Sequence, residues 1–302
     1  MMSELVSAVI TTYKREPTIL IRALDSVLNQ TYKNIEVIVV DDSPSDYTFR
    51  KDVSTAIQNK VDQGFNVRYI PHMDNMGACA ARNTGMLAAK GTYIAFLDDD
   101  DEWMPSKIEK QMKVIKDANV ALVYCGWLYQ QDNDEVSEYI KTKYVRGMVF
   151  NKLLYENFIA STSFPLIDLN CLKKVGGFDV LMQSAQDYDV WLRLAKDYEI
   201  DYVEEPLVVY HYHTGEQISS NPVKKINGLE RINQKYQTYI GKDNKLWWMR
   251  HIVIAPYYAM AGNKRKALQI WLSCVKKRPG NILDNIRFLR IILSVSKKEI
   301  NG

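Results

Sequence analysis

An apolar strand that ends in four consecutive aspartates constrains this sequence more than any other feature. Residues 93–97 read Tyr-Ile-Ala-Phe-Leu and are followed at once by Asp98, Asp99, Asp100 and Asp101. Neighbouring carboxylates repel one another by about 1 kcal/mol in water and by several times more in a partly buried cleft. The fold must therefore bring a positive charge to the carboxyl end of this strand.

Short apolar runs alternate with helical patterns through the first hundred residues. The runs predict strands at 6–11, 35–40, 67–70 and 93–97. The intervening patterns predict helices that begin near Pro17 and span about 48–63 and 77–89. This alternation is typical of a doubly wound, mostly parallel sheet flanked by helices, whose functional site lies beyond the carboxyl ends of the strands.

The residues at the strand ends distinguish between classes of this fold. A nicotinamide-binding fold needs glycines after the first strand, and residues 12–18 contain none. The second strand instead ends in Asp41 and Asp42, as the fourth ends in aspartates. Hard oxygen ligands favour Mg²⁺ or Mn²⁺, which bridge a carboxylate to substrate phosphates. Composition alone also allows a solvated acidic loop, so both interpretations stay open here.

The charge of the 302 residues divides near Asn221. The last 82 residues carry 17 lysines and arginines against four acidic residues, a net charge of +13. The first 220 residues carry 22 basic and 32 acidic side chains, a net charge of −10. Because 47% of the chain is hydrophobic, a disordered chain is disfavoured. We predict a domain over 1–220 and a basic α-helical region over 221–302.

Cysteine spacing and hydropathy indicate the cellular compartment. The four cysteines form no CxxC pattern, which predicts reduced, mostly buried thiols. The N-terminus lacks a basic segment followed by a long apolar stretch, and the longest apolar run, 120–129, has half the length of a membrane span. We expect a cytoplasmic protein without a signal peptide or a transmembrane helix.

An ordered series of motifs resembles the family 2 glycosyltransferases. The motifs are Val9-Ile10-Thr11-Thr12-Tyr13, Asn29-Gln30-Thr31-Tyr32, Val39-Val40-Asp41-Asp42-Ser43, Asn75-Met76-Gly77, Ala81-Arg82-Asn83, Phe96-Leu97-Asp98-Asp99-Asp100, Gly176-Gly177-Phe178-Asp179 and the segment from Gln186 to Arg193. The resemblance spans about residues 5–213. It implies a GT-A fold, a nucleotide-sugar donor that is most often a UDP-sugar, a divalent metal and inversion at the anomeric carbon.

The resemblance places the nucleotide pocket at the first two strand ends. It implies that Thr11 and Tyr13 line the pocket and that Asp42 accepts the base N–H, with Asp41 as the near alternative. Arg82 is implied to lie near the nucleotide. An arginine on a helix of small residues is otherwise a surface residue, and the sequence leaves both interpretations open.

The resemblance also implies a metal site and a general base. The DxD-type motif maps onto Asp98-Asp99-Asp100, where Asp99 faces the ribose and Asp100 coordinates Mn²⁺ or Mg²⁺. Asp187 is implied to be the general base. His213 resembles a position at which some members add a metal or phosphate contact, although an ordinary histidine at a strand end fits the same pattern.

Several of these residues have structural interpretations that the sequence leaves open. Asp187 also suits the acidic first turn of an amphipathic helix. Asp189 is assigned to structure, as the partner of Arg193 one helical turn later. Trp103 either packs against a sugar face or belongs to the core.

The predicted activity is inverting, metal-dependent transfer of a hexosyl or N-acetylhexosaminyl group from a nucleotide sugar to a glycan hydroxyl. We expect a glycan or lipid-linked glycan acceptor in capsule, cell-wall or other surface polysaccharide synthesis, and no nucleic-acid partner. A catalytically silent nucleotide- or glycan-binding relative is one alternative. A nucleotidyltransferase is another, but it normally has a phosphate loop rich in Gly and Lys near the N-terminus, and this sequence lacks one.

The last predicted helix has an apolar side and a basic side. The apolar residues are Ile282, Leu283, Ile286, Leu289 and Leu293, and the basic ones are Arg287, Arg290, Lys297 and Lys298. The apolar side either packs on the rest of the protein or rests on an anionic membrane surface. The second interpretation predicts peripheral attachment to the inner face of the cell membrane.

Overall fold

The computed structural model describes residues 3–116, 119–131, 138–140, 143–212 and 221–294. Contacts divide the chain into two compact units. The first comprises Met1–Leu153, Asn157–Val180 and Asp187–Thr214, and the second Leu154–Glu156, Leu181–Gln186 and Gly215–Gly302. The boundary expected after residue 220 stays a prediction, because residues 213–220 lie outside the described part.

The first unit contains the sheet. Its described strands are β1 (Val6–Thr12), β2 (Ile35–Asp41), β3 (Val67–Pro71), β4 (Tyr93–Asp98), β5 (Glu102–Trp103), β6 (Val120–Gln131), β7 (Glu138–Ile140), β8 (Leu166–Asp168) and β9 (Glu199–Tyr212). They follow the order β3-β2-β1-β4-β8-β6-β9-β5, and β7 pairs with β6. Strands β3, β2, β1 and β4 are parallel, so their carboxyl ends lie at one edge.

Helices connect these strands. They are α1 (Pro17–Leu28), α2 (Arg50–Asp62), α3 (Ala78–Ala88), α4 (Lys107–Val114), α5 (Phe150–Tyr155), α6 (Leu169–Lys174) and α7 (Gln186–Asp197). Pro17 stands at the start of α1, where its missing N–H costs no helical hydrogen bond. The α/β fold class predicted from the alternation of apolar runs is confirmed. Both faces of β1 and β4 are buried, which explains their unbroken apolar sequences.

The second unit contains short helices. They are α8 (Pro222–Lys235), α9 (Gln237–Ile240), α10 (Asn244–Ile252), α11 (Ala255–Met260), α12 (Lys264–Lys277) and α13 (Ile282–Ser294). A small core forms where Ile292 of α13 packs with Ala255, Ala259 and Ala267. Among the described residues, no helix combines the length and the apolar character needed to cross a membrane.

The cysteines match the expected pattern of free thiols. Cys79, Cys125 and Cys274 are buried, and Cys171 is half-buried. Burial raises the pKa of the Cys125 thiol to about 11, with smaller opposing effects from Lys107 and a backbone hydrogen bond. The thiol therefore stays protonated at neutral pH and behaves as a small apolar side chain.

Close packing of α3 on β1 depends on Gly85. A Cβ atom at this position would lie 2.3 Å from Cγ1 of the buried Val9. We expect Gly85→Ala to lower the free energy of unfolding by about 1–3 kcal/mol, measured by chemical denaturation. Gly280→Ala is the matched control, because an added Cβ there meets no atom within 4 Å. Equal effects of the two substitutions would contradict the packing argument.

Candidate active site

The parallel strands bring the sequence-predicted acidic residues to one edge of the sheet. Thr12 at the end of β1 pairs in register with Asp41, and Thr11 pairs with Asp98. The loop after β1, the aspartates after β2 and the acidic run after β4 therefore lie side by side.

Arg15 supplies the positive charge that the acidic run needs. Its Nε donates to Asp99 Oδ1 at 3.0 Å, and its Nη2 lies 2.9 Å from Asp100 Oδ2. Asp99 also accepts a hydrogen bond from Thr12 Oγ1 at 2.6 Å. The guanidinium thus bridges the two aspartates assigned to ribose and metal. Sequence analysis did not assign a role to Arg15, and only its place in the loop after β1 could have signalled one.

The Asp100 carboxyl is poorly stabilised as an anion. Burial and, after it, the charges of Asp99 and Asp98 raise its pKa to about 6, although Arg15 and a backbone hydrogen bond lower it. The side chain keeps 28% of its exposure, so an ion can reach it. The Asp100 carboxylate is a hard oxygen ligand whose negative charge is only partly balanced by Arg15. Such a ligand suits Mn²⁺ or Mg²⁺. Among the described residues, no group of three or more acidic, His or Cys side chains could hold a metal.

Arg15 should control the pH dependence of this site. Because its charge holds the pKa of Asp100 down, we expect Arg15→Gln to shift the acidic limb of the pH–activity profile to higher pH. Arg15→Lys keeps a cation and should shift the limb less. The measurement is kcat/KM against pH for both variants. An unshifted acidic limb in Arg15→Gln would show that Asp100 does not govern it.

The other two aspartates of the run are held by the protein. Asp98 accepts from Arg82 Nη2 at 2.8 Å and from Thr162 Oγ1 at 3.1 Å. Asp101 is fully buried and accepts from Ser163 Oγ at 2.6 Å. Burial raises the pKa of Asp101 well above its ordinary value, and the charges of Asp98 and Asp100 add to this effect. The run therefore divides into Asp99 and Asp100, which share Arg15, and two residues that anchor its ends.

Asp42 organises the loop before α3. Its Oδ1 accepts from Met76 N–H at 2.8 Å and lies 2.7 Å from His72 Nδ1, and its Oδ2 accepts from Gly77 N–H at 2.8 Å. Asp41 accepts from Tyr69 Oη at 2.6 Å. A carboxylate has about four acceptor positions, so Asp42 keeps room for one further donor. Sequence analysis did not reveal His72 as a partner of Asp42.

The loop after β1 presents Tyr13 to solvent. Thr11 is half-buried, whereas Tyr13 keeps 46% of its exposure. Lys14 adopts a left-handed φ of 48°, and its N–H donates to Ser43 Oγ at 2.8 Å. This bond ties the loop after β1 to the segment that follows Asp41 and Asp42.

Arg82 and Asp187 belong to the same neighbourhood. Burial opposes the charge of Arg82, but Asp98 and, more weakly, Asp187 raise its pKa above the ordinary value. The Arg82 guanidinium also lies over the Phe178 ring, 5.6 Å from its centroid. The interpretation of Arg82 as a surface residue is wrong, since only 9% of it is exposed.

The diglycine segment places the first turn of α7. Gly176 and Gly177 have φ values of 87° and 64°, a conformation that favours glycine. Asn83 of α3 binds the backbone of Phe178 through both its amide N and its amide O. Arg193 donates to the carbonyls of Val175 and Gly177. These bonds join the diglycine segment to α3 through Asn83 and to α7 through Arg193.

The structural assignment of Asp189 is confirmed. The Asp189 carboxylate is fully buried and pairs with Arg193 at 2.9 Å, one helical turn later. Asp187, two residues earlier, is half-buried, and its Oδ1 accepts from Tyr188 N–H at 2.7 Å. The two acidic residues of the first turn therefore differ in setting, and only Asp187 is partly accessible.

Two further sequence-predicted residues stand apart. His213 lies outside the described residues, so its metal or phosphate contact stays a prediction. Trp103 belongs to the core, with its Nε1 donating to Ser163 O at 2.9 Å and Lys107 Nζ lying 4.1 Å from the centroid of its ring. His211 contacts Glu102, with 2.8 Å between Nε2 and Oε1.

The α/β sheet carries aspartates at the ends of its parallel strands, and the buried Arg82 pairs with Asp98 of the acidic run. The family model described as "Glycosyl transferase family 2" matches residues 7–176. The chain belongs to this family.

Known proteins similar to this chain agree with that assignment. The putative colanic acid biosynthesis glycosyl transferase WcaA of Escherichia coli K12 is 31% identical, over 94% of this chain and 98% of WcaA. The Escherichia coli β-1,3-glucosyltransferase WfgD is 30% identical, over 74% of this chain and 82% of WfgD. The crystal structure of S. aureus TarS 1-349 in complex with UDP-GlcNAc has a TM-score of 0.57 at 17% identity, over 84% of this chain and 81% of TarS 1-349. The likeness to TarS shows the fold.

Proposed function

We propose that the protein transfers one hexosyl or N-acetylhexosaminyl group from a UDP-sugar to a hydroxyl of a glycan acceptor, with inversion. The observation that carries this proposal is that Arg82 pairs with Asp98 of the acidic run and also feels the charge of Asp187, while Asp99 and Asp100 of the same run share Arg15. In the proposed donor pocket, Thr11, Tyr13 and Asp42 or Asp41 hold the nucleotide. Arg82 supports the site through Asp98.

In the proposed mechanism, the metal ligand and the general base act on opposite sides of the reacting carbon. Asp100 would hold Mn²⁺ or Mg²⁺, whose charge stabilises the diphosphate as it leaves. Asp99 would orient the ribose, and Asp187 would accept the proton of the attacking hydroxyl. Asp187 can act late in the transition state, because a sugar hydroxyl is a weak acid. A single in-line displacement inverts the configuration at the anomeric carbon.

The names of the relatives support a lipid-linked acceptor in polysaccharide synthesis. WfgD and WfaP of Escherichia coli are named as UDP-Glc:α-D-GlcNAc-diphosphoundecaprenol β-1,3-glucosyltransferases, and each is 30% identical to this chain. We propose an acceptor of this chemical class, a glycan on a lipid diphosphate. We further propose that the protein acts in the cytoplasm, attached peripherally to the inner face of the cell membrane through its basic C-terminal region.

Release of UDP from a panel of UDP-sugars tests the proposal, with and without Mn²⁺ and with a lipid-linked acceptor. We expect release that depends on both acceptor and metal. Binding of UDP without release would indicate a silent relative. Release of pyrophosphate from UTP and a sugar phosphate would indicate a nucleotidyltransferase. Full activity in the presence of a metal chelator would contradict the metal assignment.

A further inference from the structure

We infer that the exposed apolar stripe of α13 is the surface through which the protein contacts an anionic lipid bilayer. We define the stripe as Ile282, Leu283, Ile286 and Leu293. The purpose of this contact rests on the proposed lipid-linked acceptor, whereas the evidence for the surface is independent of it.

The stripe is exposed although its side chains are apolar. Ile282, Leu283, Ile286 and Leu293 keep 61%, 84%, 43% and 59% of their exposure. The buried residues of α13 are instead Asn285 and Ile292. Of the five apolar residues that the sequence places on this side, these four are exposed and Leu289 is half-buried, so the packing interpretation is not borne out for the four.

Hydrogen bonds explain why α13 turns this side outward. Asn285 Oδ1 accepts from Trp248 Nε1 at 3.0 Å, and Asn285 O accepts from Trp271 Nε1 at 2.8 Å. Asn285 Nδ2 donates to Arg278 O at 3.2 Å. Asn285 thus determines which side of the helix is buried. Ile292 is also buried and packs with the alanines of the small core. These hydrogen bonds leave the stripe exposed to solvent.

The helical geometry places Arg290 within the arc of the stripe and Arg287 just beyond Leu283. At about 100° per residue, Ile282, Ile286 and Leu293 fall within about 40° of arc. Arg290 and Arg287 follow at about 80° and 140° on the side of Leu283. Both arginines are exposed. An exposed apolar face with one arginine within it and a second on one side suits an anionic membrane interface.

Net charge favours an anionic bilayer among the partners that could cover this apolar surface. Residues 221–302 carry a net charge of +13, so a second copy of this region would be repelled. An anionic bilayer offers both an apolar interior and a negative surface.

Vesicle sedimentation of the full-length protein, without donor or acceptor, tests this inference. We expect binding to vesicles that contain phosphatidylglycerol, weaker binding at high salt, and little binding to pure phosphatidylcholine. Leu283→Ser with Ile286→Ser should weaken binding at least about tenfold. Arg287→Gln with Arg290→Gln should weaken binding and reduce its salt dependence. Leu87→Ser is the matched control, because Leu87 is a leucine of the other unit that is 73% exposed.

Three results would overturn the inference. One is wild-type binding that does not distinguish the two kinds of vesicle. Another is unchanged binding of the stripe variant. The third is a concentration-dependent dimer in solution that the stripe variant loses, since a second copy would then be the occupant. The vesicle experiment measures binding without catalysis. If the protein does not bind vesicles, the proposed transfer reaction is not contradicted. If the protein binds vesicles but has no transferase activity, the proposed membrane surface is not contradicted.

Discussion

Asp187→Asn is expected to lower turnover by about 10²-fold or more while UDP affinity stays near that of the wild type. The substitution removes the basic oxygen but keeps an amide oxygen that can accept from Tyr188 N–H, so the first turn of α7 should persist. The measurement is kcat from UDP release, together with the dissociation constant of UDP from calorimetry.

Asp197→Asn serves as the control for this experiment. Asp197 lies exposed at the other end of α7 and should tolerate the same change without effect. If UDP affinity collapses in Asp187→Asn, Asp187 belongs to the donor site. If kcat is unchanged, another group is the base.

Asp100→Asn is expected to lower metal-dependent turnover by about 10²-fold or more, because it removes the carboxylate that would join the metal to the leaving diphosphate. The fold should survive, since burial and like charges already raise the pKa of Asp100 to about 6. Loss of this charge relieves repulsion with Asp99. Turnover is measured across a Mn²⁺ titration, with circular dichroism as the check of folding.

Asp62→Asn is the matched control, because Asp62 is an exposed aspartate at the end of α2. Its turnover and Mn²⁺ dependence should equal those of the wild type. Near-normal turnover of Asp100→Asn with unchanged Mn²⁺ dependence would refute the metal assignment.

Predictions from the sequence succeeded where the chain encodes structure locally. The apolar run 93–97 became β4, and the parallel pairing of β1 with β2 and β4 placed Asp41 and Asp98 at one edge. The pairing of Asp189 with Arg193 could also be predicted, because residues four positions apart lie on the same side of any helix. The alternation of apolar runs with helical patterns and the helical periodicity of the sequence predict these features.

Predictions failed or stayed open where two distant segments decide the outcome. Arg15 reaches Asp99 across 84 positions of sequence, and no local pattern specifies where a loop arginine points. Met76 and Gly77 donate to Asp42 through backbone N–H groups, which any sequence offers. The amphipathic pattern of α13 identified its apolar side, but Asn285 and its tryptophan partners determine which side is buried.

The Arg15 bridge has a consequence for inhibitor discovery. A small amine or guanidine compound aimed at Asp99 and Asp100 competes with a guanidinium of the protein itself. A tethered group acts at an effective concentration in the millimolar range, so such compounds start at a disadvantage in the ligand-free enzyme. An anionic compound meets the opposite situation, because it can recruit Arg15 as a partner. Screens against this enzyme should therefore favour acidic diphosphate mimics over cationic ones.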